Sequence, residues 1–335
     1  MIISRAPVRI CLAGGGTDLA AYYEEFSGLT ISAAIDKYVY TVSKPADEWQ
    51  IISADYQEVL CRLKDGAPDS EHLRLVHEVI RYAQTIEDFP MPREIFTASQ
   101  VIPGTGLGSS GAAAVSVLKA LIPYLYGHLL ADHAYYVEAE VLDAPVGKQD
   151  QHIASFGAIR RLEYGRDGQV WNYSMGISGE TFDTLERRLL LFFTGMTRAS
   201  KTLLVAQRQK MERRDPSMMD ALHKVKNLAE DMYTALWKGD CDLVGRLLHR
   251  GWALKRRFGP VSTDEIDHAY EYALANGALG GKLPGAGGGG YLLLYCEEGA
   301  QQDIRFGMQQ WFGFRELLFK FDLEGAKIIL EDENV

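Results

Sequence analysis

A chain of 335 residues exceeds what one hydrophobic core usually covers, so two domains are expected, and the composition is that of an ordinary globular protein. The formal net charge of -10 argues against general nucleic-acid or anionic-membrane binding, so any phosphate site must be a local arrangement of Gly, Ser, Arg and Lys. Four cysteines (Cys11, Cys61, Cys241, Cys296) lack metal-type spacing, no apolar run reaches membrane-spanning length, and no signal peptide opens the chain, which makes a cytoplasmic protein the expectation.

In chain order, Val8 to Ala13 reads as a short buried strand running into Gly14-Gly15-Gly16-Thr17-Asp18, a glycine-rich turn. Ile31 to Ser43, Gln50 to Ala54 and Val59 to Leu63 are β-branched or alternating and predict strands, with turns at Asp47-Glu48 and Asp55-Tyr56. Ser70 to Thr85 predicts a helix behind a Ser cap and Glu71, and Glu94 to Val101 a strand. That strand delivers the chain to Pro103-Gly104-Thr105-Gly106-Leu107-Gly108-Ser109-Ser110-Gly111. Three glycines that tolerate positive φ, followed by paired serines at the start of a helical pattern, are suited to cradle a polyphosphate at a helix N-terminus.

Asp132 is expected to cap a second helix to about Leu142, and Pro145-Val146-Gly147 breaks it before Asp150 opens a short third one. Arg166-Asp167-Gly168 predicts a hairpin turn between strands Gly157 to Leu162 and Gln169 to Tyr173. The composition then shifts, placing a domain boundary near residue 180, with domains at 1–180 and 181–335. Strand Leu189 to Thr194 leads into three amphipathic helices, Ala199 to Arg213, Met218 to Trp237 and Asp240 to Arg257; Lys255-Arg256-Arg257 at the end of the last reads as complementing its dipole. A helix from Thr263 to Asn276, a third glycine-rich turn over Gly280 to Gly290, strand Tyr291 to Cys296, a helix from Ala300 to Phe312, a strand from Phe314 to Phe321 and a frayed tail from Glu331 complete an α+β pattern.

Gly106 to Gly111 and Gly285 to Gly290 both match G-x-G-x-x-G, but the first lacks the acidic residue that a dinucleotide fold places about 20 residues later. The pair Gly281-Lys282 is followed by Leu283 rather than Ser or Thr, which excludes a Walker A loop. The eight histidines form no metal-ligand spacing.

Three motifs carry a family resemblance: Ala6-Pro7-Val8-Arg9-Ile10-Cys11-Leu12-Ala13-Gly14-Gly15-Gly16-Thr17-Asp18-Leu19, then Pro103 to Ser110, then Lys282 to Gly290. In this order they resemble the GHMP-superfamily small-molecule kinases. Ser32 to Val39, Val146-Gly147-Lys148-Gln149-Asp150-Gln151 and Thr194-Gly195-Met196-Thr197-Arg198 narrow the likeness to the D-glycero-D-manno-heptose 7-phosphate kinases, relatives of the fucokinase kinase domain. Galactokinases carry Glu-His where this chain has Gly15-Gly16, which leaves room for a different or bulkier sugar.

The resemblance implies the two-domain GHMP fold, with a ribosomal protein S5 domain 2-like N-terminal domain and a ferredoxin-like C-terminal domain. It implies ATP on Pro103, Gly104, Gly106, Leu107, Gly108, Ser109, Ser110 and Gly111, and Mg²⁺ on Ser110 and Glu138, with Glu140 the competing carboxylate. Asp150 matches the catalytic aspartate and Arg9 the basic residue that holds acceptor and transferring phosphate; a helix N-cap is the structural alternative for Asp150. The sugar side comprises Gly15, Gly16, Thr17, Asp18, Gly285, Gly287 and Gly288, with Arg198 or Lys148 as candidates to hold a sugar phosphate. Capping the next helix is the alternative for Asp18. The expected partner is a small-molecule sugar or sugar phosphate, with a homo-oligomer left open. A kinase of an unphosphorylated sugar and a non-catalytic sensor on the same fold are the rival readings.

Overall fold

Strand β1 (Ile2–Ala13) sets the geometry, because its side chains alternate between a core and a cleft. Val8, Ile10 and Leu12 are buried in the main apolar cluster, while Arg9 and Cys11 point to the opposite face. The computed structural model describes residues 1–55, 58–61, 71–196 and 200–332.

After β1 come α1 (Ala20–Phe26), β2 (Gly28–Pro45), β3 (Gln50–Ser53), β4 (Glu58–Cys61), α2 (Glu71–Ile86) and β5 (Arg93–Ser99). Helix α3 (Ser109–Leu121) follows, then α4 (Gly127–Tyr136) with a π-helical turn at Val137–Val141, α5 (Gln149–Phe156), β6 (Ile159–Tyr164) and β7 (Val170–Ser174). The second half holds α6 (Gly179–Arg188), β8 (Leu189–Phe193), α7 (Ser200–Glu212), α8 (Pro216–Lys238) and α9 (Cys241–Lys255), which tightens into a 3-10 turn at Arg256–Phe258. Then come α10 (Asp264–Ala275), β9 (Ala278–Lys282), β10 (Tyr291–Cys296), α11 (Gln301–Gln310), β11 (Arg315–Glu316) and β12 (Lys327–Glu331).

The first sheet runs β12-β1-β2-β5-β3-β4, and β2 is long enough to serve two partners along one edge, β6 through Gly28 to Ala33 and β5 through Val39 to Pro45. The second sheet runs β11-β8-β10-β9 and is antiparallel. Its strand β10 is apolar throughout because both faces are covered: Leu293 and Tyr295 join the main cluster, Leu292 and Leu294 a second one under α10 and α11. The architecture is α+β, as expected.

Several expectations are corrected. The helix expected from Asp132 begins at Gly127, so Asp132 lies within it rather than capping it. Gly280-Gly281-Lys282 is the end of β9, not the start of the glycine turn; a strand accommodates glycine where another backbone comes close, and a Cβ on Gly280 would stand 2.2 Å from the Gly245 carbonyl oxygen. The strand expected over Phe314 to Phe321 is only Arg315–Glu316. Of the tail expected to fray from Glu331, Glu331 instead pairs with Ile2 as the end of β12, and the Asp332 N-H donates to the Met1 carbonyl at 2.9 Å. Helix α6 lies outside the expected elements, and α1 is among them only as the helix that Asp18 was expected to cap in its structural alternative. The Ser70 cap, the turn residue Tyr56, the end of the strand expected to Leu63, the helix start at Ala199, and Thr197 and Arg198 lie outside the described residues, as do residues 333–335. We place the domain division near residue 180, with β12 returning to the first sheet.

Candidate active site

The loop before α3 takes its shape from glycine. Gly104, Gly106 and Gly108 have φ of 75°, 89° and 74°, and Gly108 stands as the N-cap of α3 with no side-chain capping bond. A Cβ on Gly106 would lie 2.6 Å from the Pro284 carbonyl oxygen, so glycine is what lets this loop pack on the third glycine turn. Pro103, Gly104, Gly106, Gly108, Ser109 and Ser110 line a cavity of about 360 Å³. Leu107 does not; it is fully buried, and its carbonyl accepts the Arg9 backbone N-H at 2.9 Å. Gly111 permits contact between α3 and α5, since a Cβ there would meet Asp150 Cβ at 2.8 Å.

Across the cavity, the alternation of β1 presents Arg9. Its Nε and Nη2 each lie 2.7 Å from Asp150 Oδ1, and Nη1 donates to the Gly106 carbonyl at 2.5 Å. Asp150 sits in the first turn of α5, whose N-cap is Lys148, so its carboxylate is not the cap. Asp18 is 3% exposed; its Oδ1 accepts from Gly16 N at 3.0 Å and its Oδ2 from Gln149 Nε2 at 3.0 Å. Burial, with the charge of Asp150 in support, pushes the Asp18 carboxyl above its ordinary value. Helix α1 has Leu19 as N-cap with no side-chain bond, so Asp18 does not cap it.

Glu138 lies in the π-helical turn, buried, with Oε2 accepting from Gln151 Nε2 at 2.6 Å and the Ser110 hydroxyl also bonded to it. Burial pushes its carboxyl up to about 7 against those two hydrogen bonds. Glu140 faces elsewhere, into a separate hollow with Tyr135 and Asp167.

The other candidates divide. Gly15, Gly16 and Gly285 line the cavity. The Thr17 hydroxyl is engaged by backbone groups of Gly14 and Leu29 and is fully buried, which makes it a brace for the turn. Gly287 and Gly288 pack on Val261, the latter through its N-H to the Val261 carbonyl at 2.7 Å, rather than facing the cavity. Lys148 turns away into the Glu140 hollow, donating to the Gly168 carbonyl, with its ammonium 5.4 Å and 5.1 Å from the ring centroids of Tyr23 and Tyr135. Arg198 lies outside the described residues.

Sequence reasoning passed over Gln149, Gln151, Gln207 and Lys255, all positioned at the site. The two glutamines flank Asp150 in a quoted motif and could have been singled out as its neighbours. Lys255, in the last turn of α9, also donates to the carbonyls of Leu283 and Gly285 across the cavity. Of the two residues after it, Arg256 pairs with Asp267 and Arg257 with Asp220.

The model for the GHMP kinases N terminal domain matches residues 74–158, and that for GHMP kinases C terminal matches residues 221–313. The chain is 30% identical over 337 residues, covering 97% of itself and 98% of its relative, to D-glycero-alpha-D-manno-heptose 7-phosphate kinase of Campylobacter jejuni. A crystal structure of a D-glycero-D-manno-heptose 1-phosphate kinase from Bacteroides thetaiotaomicron superposes with a TM-score of 0.80 at 26% identity, covering 99% of this chain and 100% of that one. The L-fucokinase/L-fucose-1-P guanylyltransferase of Bacteroides fragilis is 25% identical over 89% of this chain, which spans 35% of that longer protein. The chain belongs to the GHMP kinase family and is a phosphotransferase of its sugar-kinase group.

Proposed function

We propose that this kinase transfers the terminal phosphoryl group of ATP to the anomeric hydroxyl of D-glycero-D-manno-heptose 7-phosphate, giving the 1,7-bisphosphate for synthesis of a nucleotide-activated heptose. One observation carries the reading: Asp150, held by Arg9 beside the glycine loop, faces the same cavity as Asp18. The heptose 7-phosphate relative supports the choice of acceptor.

In this reading the ATP phosphates lie on the Pro103 to Gly111 loop at the N-terminus of α3, where the helix dipole and the first-turn N-H groups favour an anion. The sugar lies between Gly15-Gly16 and Asp18. Asp150 Oδ2 takes the proton of the C1 hydroxyl while the C1 oxygen bonds to the phosphorus and the bond to the ADP oxygen breaks. Arg9 orients the Asp150 carboxylate by pairing with its Oδ1 and offers positive charge to the transferring group. Ser110 and Glu138 would hold Mg²⁺, which when bound neutralises charge on the phosphates. The donor set fits that ion. Both are oxygen ligands, Glu138 is a buried carboxylate with no cation beside it among the described residues, and no group of three His, Cys, Asp or Glu there could hold a metal unaided. Mg²⁺ ordinarily takes one or two protein ligands and completes its shell with phosphate and water.

The test is a panel of sugars and their phosphates assayed with ATP. Heptose 7-phosphate is expected to give the highest kcat/KM. Equal turnover of an unphosphorylated sugar such as fucose would reject the acceptor and favour a fucokinase-like enzyme, the reading that the fucokinase relative supports. Nucleotide and sugar binding without turnover would favour a sensor.

A further inference from the structure

Two lysines of the cavity wall are left over by this mechanism. Lys255, the last residue of α9, is buried with its ammonium on the Leu283 carbonyl at 2.6 Å and on that of Gly285. Lys282, the last residue of β9, is 8% exposed, and its ammonium stands 4.0 Å from Cys11 Sγ. Both line the cavity. Among the described residues, neither has a carboxylate within ion-pair distance: Asp150 is paired with Arg9, and Asp18 accepts from Gly16 and Gln149. Burying ammonium groups without a counter-ion is costly, and placing two of them in one wall adds repulsion. Burial, and then the charge of Lys282, hold the Lys255 ammonium well below its ordinary value.

Their neighbours say where the missing anion belongs. Lys282 shares Cys11 with the acceptor side, since a Cβ on Gly15 would lie 3.2 Å from the same sulfur. Lys255 holds Gly285, which packs on Gly106 of the nucleotide loop. The two ammoniums therefore stand between the acceptor turn and the phosphate loop, where a mobile dianion would offset both charges.

Building on the kinase reading, we propose that Lys282 and Lys255 form a seat for a phosphoryl oxyanion on the C-terminal wall of the cavity, and that this seat selects a phosphorylated acceptor. In this reaction such an oxyanion has two sources, the phosphate already on the sugar and the terminal phosphate of ATP. The same chemistry binds either.

Lys282→Met and Lys282→Arg test the seat, with heptose and heptose 7-phosphate as paired acceptors. If the seat holds the sugar's phosphate, Lys282→Met lowers the ratio of kcat/KM for the phosphorylated over the unphosphorylated acceptor by about ten- to a hundred-fold, the size expected for one charge-assisted contact, and Lys282→Arg restores part of it. If it holds the terminal phosphate of ATP, both acceptors lose equally and the ratio stays, which would overturn the selection of a phosphorylated acceptor by this seat. Kinetics within two-fold of wild type for both acceptors would overturn the proposal. A second readout is independent of turnover: inorganic phosphate titrated into the ADP-saturated protein is expected to bind wild type and to bind Lys282→Met at least ten-fold more weakly, and equal binding would also overturn it. A wild-type protein that phosphorylates no sugar, yet shows this difference in phosphate binding, would reject the kinase reading while leaving the seat in place.

Discussion

The guanidinium of Arg9 meets Asp150 Oδ1 through Nε and Nη2, both at 2.7 Å, from elements 141 positions apart in the chain. Strand β1 supplies the arginine because its other face is committed to the core, and α5 supplies the aspartate because Gly111 lets it approach α3. A fork that binds one carboxylate oxygen through two nitrogens fixes the carboxylate plane, so Oδ2 has a defined direction.

Asp150→Asn is therefore expected to lower kcat by about 10²- to 10⁴-fold, the range of a positioned proton acceptor. The Asp150 carboxylate bonds to Arg9 rather than to the nucleotide loop itself, so ADP affinity by calorimetry should change less than about three-fold. Unchanged turnover would remove Asp150 from the chemistry.

Gly147 is a positional test of Asp18. A Cβ there would lie 1.9 Å from Asp18 Oδ2 and 2.4 Å from its Cγ, so Gly147→Ala must displace the carboxylate that Gln149 holds. A displacement near 1 Å in a catalytic cleft costs about 100-fold. Steady-state kinetics should show that loss in kcat/KM for the sugar, with KM for ATP little altered.

Much of this site was legible in the sequence, for physical reasons that also mark where legibility ends. A strand of period two puts Arg9 opposite Val8 and Ile10, and glycines that must take positive φ announce the loop at 104–108. Side-chain direction at an element's end is another matter. Lys148 is two residues from Asp150, yet as the N-cap of α5 it turns toward Tyr23, Tyr135 and Gly168. Lys255 looked like one of three basic residues at a helix end, but it is the last turn of α9 that aims it inward, and the 3-10 turn throws Arg256 and Arg257 outward. Strand β12 was hidden because pairing with β1 depends on a partner more than 300 residues away, which no local pattern encodes.

His152 makes the fold acid-sensitive. It is fully buried on α5, its Nδ1 donates to the Lys148 carbonyl at 2.9 Å, and its Nε2 has no hydrogen-bond partner. Burial pushes the imidazole down to about 3. A folded value below the unfolded one near 6.5 means that the stabilisation is present above pH 6.5 and is lost as pH falls toward 3. The slope is about 1.4 kcal/mol per pH unit at most, reduced because Asp132 Oδ1, on a carboxylate more than half exposed, stands 3.5 Å from Nε2. Urea unfolding between pH 7.5 and 5 should show wild type losing stability that His152→Asn does not lose. Parallel curves would show that another group sets the acid limit.

Glu138→Gln separates metal binding from folding. The variant keeps an oxygen to accept the Gln151 amide but removes a buried negative charge, so the protein without ligands should be at least as stable as wild type. If Glu138 is a Mg²⁺ ligand, adding Mg²⁺ to ADP should raise the Tm of wild type further than ADP alone, by a few degrees for roughly 2 kcal/mol of added binding. The variant should gain nothing from the metal. Thermal unfolding with ADP, with and without Mg²⁺, reads the difference directly, and a full Mg²⁺ increment in Glu138→Gln would move the metal away from this carboxylate and leave Ser110 without its partner.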